Sequence, residues 1–240
     1  MRLFELLKIN VSDVDTKLQY HDTLNPKFWD DKDQLHADVR QHLLDIAEEY
    51  RKFLNLPKED IHDIIFTGSN ANYNWTSLSD VDVHLVADLS KLKSPYLEDY
   101  LKAKKSLWNN KHDITIHGFD VELYAQDETD RLKAGGIYSL IDDQWKVHPV
   151  MRTPSYDELS VKTKAAAIMD TIDGIDDHDD SALKLAIDTK EKIKKMRKAG
   201  LESGGEMSVE NLAYKTLRNN GYLDKLSNII VKIQDEQLSI

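Results

Sequence analysis

Cysteine is absent from this chain of 240 residues, which excludes disulfide frameworks, Cys-type zinc sites, iron–sulfur clusters and thiol nucleophiles in one step. Any metal it binds must be held by oxygen or imidazole. Glycine and proline are scarce, at 9 and 5 residues, while hydrophobic residues make up 40% and charged residues 31%. Collagen-like, low-complexity and wholly disordered readings therefore fail, and a folded core is expected. No run approaches the roughly 20 apolar residues of a membrane span. The opening MRLFELLKIN has too short an apolar stretch and no small-residue cleavage site for a signal peptide. The expectation is a soluble, cytoplasmic protein without a membrane partner.

Basic charge is also in deficit, with 32 Lys and Arg against 43 Asp and Glu and a net charge of −11. That argues against a protein that coats nucleic acid with its whole surface. The deficit is uneven: from Ser181 to Lys232 the chain carries 11 basic and 6 acidic residues, net +5, so charge is polarised along the sequence.

The length suits a core domain of roughly 150 residues with a smaller helical extension, divided as 1–150 and 151–240. Leu35, Val39, Leu43, Ile46, Tyr50 and Phe53 recur at steps of three and four, which predicts an amphipathic helix over about residues 33 to 54. DIIFT at 63–67 runs into Gly68 and Ser69 as a buried strand entering a tight turn. In 80–86, Val81, Val83 and Leu85 point one way and Asp80, Asp82 and His84 the other, because strand side chains alternate. A helix over 97–108, a hairpin around Gly118 and a second hairpin from Ile137–Leu140 and Gln144–Val147 follow. Beyond Pro154 the pattern is helical: about 157–172, then a helix capped by Asp180 or Ser181 and ending at Gly200. A third is capped by Ser208 and ends near Gly221, and a fourth spans 222–238. Linkers are expected at 149–156, 173–180 and 202–206.

The segment FTGSNANYNWTSLSDVDVHLVAD, residues 66–88, carries the chemistry. A strand delivers Gly68 and Ser69 to a turn where glycine lets the backbone approach a phosphate, and the following amides with the Ser hydroxyl can donate to it. The next strand returns Asp80 and Asp82 to the same neighbourhood. Two residues apart on one strand, their Cα atoms are roughly 6.6 Å apart on one face, suitable for hard divalent cations. Two such ions about 3.5 to 4 Å apart stabilise the attacking and leaving oxygens of an in-line displacement at phosphorus.

Gly68 and Ser69, then ten residues, then Asp80-Val81-Asp82 resembles the signature of the DNA polymerase β-like nucleotidyltransferase superfamily, over about residues 35 to 126. A longer likeness, including GGIYSLIDDQW and RKAGLESGGEMSVENLAYKTLRNNGYLDKL, resembles nucleotidyltransferase-like proteins of tailed phages, whose setting is the host cytoplasm. The superfamily resemblance implies an α+β fold, a mixed sheet flanked by helices. It also implies Mg²⁺ (or Mn²⁺), a nucleoside triphosphate donor and a third carboxylate from a later strand. In FDVELYA, Asp120 and Glu122 share a face; Glu122 is preferred because it lies mid-strand, with Asp120 beside the turn the alternative metal ligand. Gly68 and Ser69 would then hold phosphates, and Asp80, Asp82 and Glu122 would be catalytic. The acceptor is left open between an RNA 3′ end, a protein hydroxyl and a small molecule. A catalytically silent module of the same fold, binding RNA or a partner protein, is the competing class.

Taken singly, an Asp-x-Asp is usually a solvated strand face and a Gly-Ser usually a turn; their order and spacing favour catalysis. His84 is better read as hydrogen-bonded than as a ligand. His112, His117 and His148 lack metal-ligand spacing, and DDHDD at 176–180 reads as a solvated linker. Lys190, Lys192, Lys194, Lys195, Arg197 and Lys198 crowd one helix, ordinarily a solvated face, with triphosphate or RNA backbone contact the sharper alternative.

Overall fold

The computed structural model describes residues 8–90, 94–130, 132, 134–151 and 155–239. The chain divides into two compact units, Gln19–Arg152 and, drawn from both ends of the sequence, Met1–Leu18 with Thr153–Ile240.

The first unit holds α1 (Ala37–Leu54), β1 (Ile61–Thr67), β2 (Val81–Ala87), α2 (Leu97–Lys111), β3 (Thr115–Ile116), β4 (Phe119–Asp127), β5 (Ile137–Ser139) and β6 (Gln144–Val147). The strands form one mixed sheet in the order β3-β4-β2-β1-β5-β6. β1 is antiparallel to β2 and β5, whereas β2 and β4 are parallel, and α2 lies in the crossover that a parallel pair needs. The architecture is the α+β mixed sheet with flanking helices.

Alternation decides what each face does. Val81, Val83, Leu85 and Ala87 of β2 are buried with Val121 and Leu123 of β4 against Val39, Leu43, Ala47 and Tyr50 of α1. By the period of two, Asp82, His84, Glu122 and Tyr124 occupy the other face. α1 begins at Ala37 rather than near 33, because Asp33 adopts a left-handed φ of 58° and Leu35 bridges to Trp29. Leu35 is thus buried by a loop, not by a helix stripe. Phe28 and Trp29 from the same non-periodic segment are core residues: Trp29 stacks on Phe66 and Trp145, and Phe28 meets Phe66 and Phe119 edge-on. The β3–β4 turn is His117–Gly118, with φ of 52° and 82°, the two positive values of a tight two-residue hairpin.

The second unit packs α3 (Glu158–Asp173), α4 (Ala182–Gly204), α5 (Val209–Asn219) and α6 (Tyr222–Leu238) around Ala165, Met169, Ile172, Ala186, Ile193, Leu217 and Leu226. Val11 and Val14 join this core, and the amides of Lys8 and Ile9 donate to Asp170 at 2.6 and 2.9 Å. Asp157 caps α3 through the Ser160 amide and Ser208 caps α5 through the Asn211 amide. Ser181 stands at the start of α4 but donates its hydroxyl to Asp179 instead of capping. The linker expected at 149–156 falls partly outside the described residues, and the one at 202–206 is helical as far as Gly204. Among the described residues no helix is long and apolar enough to cross a membrane.

Gly200 does not end α4. The helix continues to Gly204 and turns at Gly205, φ 67°; Gly200 is where α5 comes close, since a Cβ there would lie 2.5 Å from Glu210 Cβ and 2.7 Å from Ser208 Oγ. Helix propensity alone would make Gly200→Ala stabilising by about 1 kcal/mol. Overpacking works against it at about 1 to 3 kcal/mol and should win, so thermal melting should show a lower midpoint; a raised midpoint would mean that α5 moves away without cost.

Candidate functional site

β1 delivers the chain to Gly68, whose φ of 84° and ψ of −163° suit glycine alone. The position is also closed to a side chain, because a Cβ there would lie 2.0 Å from Asp82 Oδ2. The Asp82 carboxylate therefore rests against the Gly68 backbone, and Thr67 and Asp82 are register partners. On its other side Asp82 is in register with Glu122 across the parallel β2–β4 pair, which sets the two Cα atoms about 5 Å apart. Asp80 precedes β2 and shares the parity of Asp82; it is half-buried, and its carbonyl accepts from Asn70 Nδ2 at 3.0 Å. Asp120 has the parity of Glu122 but stands exposed at the start of β4 opposite Thr115, two register positions before Asp82 and level with Asp80.

Tyr124 senses these acids. Its hydroxyl donates to Glu122 Oε2 at 2.5 Å. Burial pushes its pKa up, and the charges of Asp82, Glu122 and Asp80, with the Glu122 hydrogen bond, push the same way; it stays a protonated donor across the neutral range. Lys105 of α2 places its ammonium 3.2 Å from Glu122 Oε2 and 3.5 Å from the centre of the Tyr124 ring. His84 stacks on the opposite neighbour in register, its ring 4.4 Å from that of Tyr124 and 13° from parallel. His84 Nδ1 lies 2.6 Å from Gln126 Oε1, which makes Nδ1 the protonated nitrogen. Burial and then Lys105 hold the His84 pKa below its ordinary value, against the pull of Gln126, so the ring is neutral at pH 7.

The Gly68 turn is braced by amides and hydroxyls. Ser69 Oγ donates to Ser79 Oγ at 2.8 Å, and Ser79 Oγ accepts from the Thr76 amide at 2.9 Å. The Ser69 hydroxyl proton is thus used inside the loop. Asn70 is fully buried; besides donating to the Asp80 carbonyl, it accepts from Asn25 Nδ2 at 2.8 Å through its side chain and from Trp29 Nε1 at 2.7 Å through its own carbonyl. Asn70 ties the non-periodic 19–36 segment, the Gly68 turn and the entry to β2 into one unit. Asn70, Lys105 and Tyr124 were not singled out by sequence pattern. The alternation in FDVELY does put Tyr124 on the face of Glu122; nothing in LEDYLKAKKSLW separates Lys105 from its neighbouring lysines.

Among the described residues no three Asp, Glu or His side chains converge tightly enough to hold an ion alone. Mg²⁺ is usually held by one or two carboxylates with water and substrate phosphate rather than by an all-protein cage, and the oxygen donors of Asp80 and Asp82 fit that manner of binding.

No protein-family model matches the chain, and no curated protein matches it. Among solved structures it is similar to the STING-associated CdnE c-di-GMP synthase from Capnocytophaga granulosa, at 13% identity over 85% of this chain and 84% of that chain, with a TM-score of 0.20. At that score the similarity carries no argument about this chain.

Proposed function

We propose that the Gly68–Asp82–Glu122 face performs metal-dependent nucleotidyl transfer, moving a nucleoside monophosphate from a triphosphate to a hydroxyl acceptor with release of pyrophosphate. The observation that carries this reading is the placement of Asp82, pressed against a glycine-only turn and in register with Glu122. Asp80 and Asp82 would hold a divalent cation, Mg²⁺ or Mn²⁺, which when bound would acidify the acceptor hydroxyl and neutralise charge on the leaving pyrophosphate. The chain's own part is positioning. Gly68 admits a phosphate close to the backbone, Asn70 fixes the approach of the turn to β2, and Glu122, oriented by Tyr124, serves as the third carboxylate. The acceptor oxygen bonds to the α-phosphorus as the bond to pyrophosphate breaks, and its proton passes to solvent. An RNA 3′ end or a protein hydroxyl is the proposed acceptor.

A silent module of the same fold, binding RNA or a partner protein, is the second reading. Its supporting observation is that Glu122 already has Lys105 and Tyr124 as partners and that Ser69 is engaged by Ser79. Incubation with each α-labelled triphosphate, Mg²⁺ or Mn²⁺, and RNA or protein separates the two: transfer of label is expected, and its absence with every triphosphate favours the silent module. In the same assay Glu122→Gln should lose at least tenfold more activity than Asp120→Asn, since Glu122 is the one in register with Asp82. A reversed order would move the third carboxylate to Asp120.

A further inference from the structure

Asp80, Asp82 and Glu122 share one face of the sheet, and Lys105 stands beside Glu122. Lys105 reaches Glu122 Oε2 at 3.2 Å from α2, and both side chains keep about a third of their surface in solvent, 31% and 36%. Lys102 pairs with Glu98 and Lys104 lies over the Phe53 ring at 4.3 Å, so Lys105 is the lysine of this stretch directed at the carboxylates. It has two seats there: the Glu122 carboxylate, and the Tyr124 ring 3.5 Å away. An ion pair this open to water is weakly held. The cation–π seat does not depend on the carboxylate, so the ammonium can release Glu122 without leaving the face.

Glu122 Oε2 itself keeps a fixed direction when the ammonium leaves, because the Tyr124 hydroxyl donates to the same oxygen at 2.5 Å. The arrangement is that of a carboxylate held ready while its counter-charge is exchanged. A divalent cation arriving beside Asp80 and Asp82 would repel the ammonium and attract Glu122 in its place.

We propose that Lys105 is a displaceable counter-cation of this face, neutralising Glu122 in the nucleotide-free chain and surrendering it when a divalent cation binds. The proposal rests on the carboxylate site read above. Lys105 is a positioning residue in it, acting through Glu122. It sets the concentration at which the face takes up a divalent cation, and it spares the unloaded chain part of the repulsion among three carboxylates.

The test is calorimetric titration of Mn²⁺ into the full chain without nucleotide. Lys105→Met, and Lys105→Gln should the first fail to melt cooperatively, should bind Mn²⁺ about two- to fivefold more tightly than the unmodified chain, the order of effect of removing one partly exposed competing charge. Mn²⁺ should also raise the melting midpoint of these variants more than that of the unmodified chain. Lys105→Arg retains the charge and should restore ordinary Mn²⁺ affinity, which a role for the side chain in packing alone would not require. Equal or weaker Mn²⁺ binding by both neutral variants overturns the exchange role. Asp82→Asn separates the two levels of the argument. If it weakens Mn²⁺ binding while the Lys105 variants change nothing, the carboxylate site stands and the exchange fails. If Asp82→Asn binds Mn²⁺ like the unmodified chain, or no variant binds at all, the site reading fails and the role of Lys105 with it.

Discussion

Asp82→Asn should leave the chain folded and lower nucleotidyl transfer by about a thousandfold or more. Asparagine has the shape of aspartate, so it can occupy the space against Gly68 and keep its register with Thr67 and Glu122. What it lacks is the charge. Stabilisation of the reacting phosphoryl group by a carboxylate-held cation is worth several kcal/mol, and each ~1.4 kcal/mol is a factor of ten in rate. Asp80→Asn should also lose activity, by less, because Asp80 stands before β2 and lacks the double placement of Asp82 between Gly68 and Glu122. Stability should move the other way. Acids sharing one face repel one another when no cation is present, and sites shaped for function commonly gain stability when such a charge is removed. The check is the initial rate of pyrophosphate release beside a thermal melt in chelator. Unchanged turnover would take Asp82 out of the chemistry, and a collapsed melt would make it a structural residue.

The parts of the site that could be read from sequence are those set by local geometry. The period of two in VDVHLVA separates buried Val81, Val83 and Leu85 from Asp82 and His84, and Gly68 marks a turn because its backbone conformation excludes side chains. The preference for Glu122 over Asp120 rests on mid-strand placement, and the register that sets Glu122 opposite Asp82 depends on a pairing of distant strands that the sequence does not show. Features that depend on distant packing left no local signal. Residues 19–36 have no period, yet Phe28, Trp29 and Asn25 build the aromatic core and the buried amide bracing behind the turn. Ser69 looks from sequence like a phosphate donor, and only the fold shows that Ser79 comes round to accept its proton. Gly200 looks like a helix end because glycine commonly is one; its actual role, admitting α5, requires knowing where α5 lies. Lys105 is one of several similar lysines until α2 is set against β4.

Gly68→Ala should be the most damaging single-methyl substitution at the site, and Gly118→Ala is its control. Both glycines have strongly positive φ, 84° and 82°, but the ψ of −163° at Gly68 lies in a region essentially restricted to glycine, where alanine meets a backbone strain of about 1 to 3 kcal/mol. Their surroundings differ. Nothing lies within 4 Å of a Cβ on Gly118, whereas a Cβ on Gly68 would lie 2.0 Å from Asp82 Oδ2 and 3.0 Å from its carboxyl carbon. The neighbour that must yield is the Asp82 carboxylate, and it must yield by more than 1 Å to reach ordinary contact. A misplacement of about 1 Å in a reacting constellation costs on the order of a hundredfold in rate. Gly68→Ala should therefore melt at lower temperature than Gly118→Ala, and it alone should lose roughly a hundredfold or more in turnover of the folded protein. Mn²⁺ binding should weaken with it, because the carboxylate displaced is the one proposed to hold the ion. Equal turnover in the two variants would show that Asp82 can swing aside and still act, and the close contact at Gly68 would then belong to folding rather than to catalysis. A loss confined to Gly68→Ala, measured well below the melting midpoints of both variants, ties the conformational freedom of one glycine to the aim of one carboxylate.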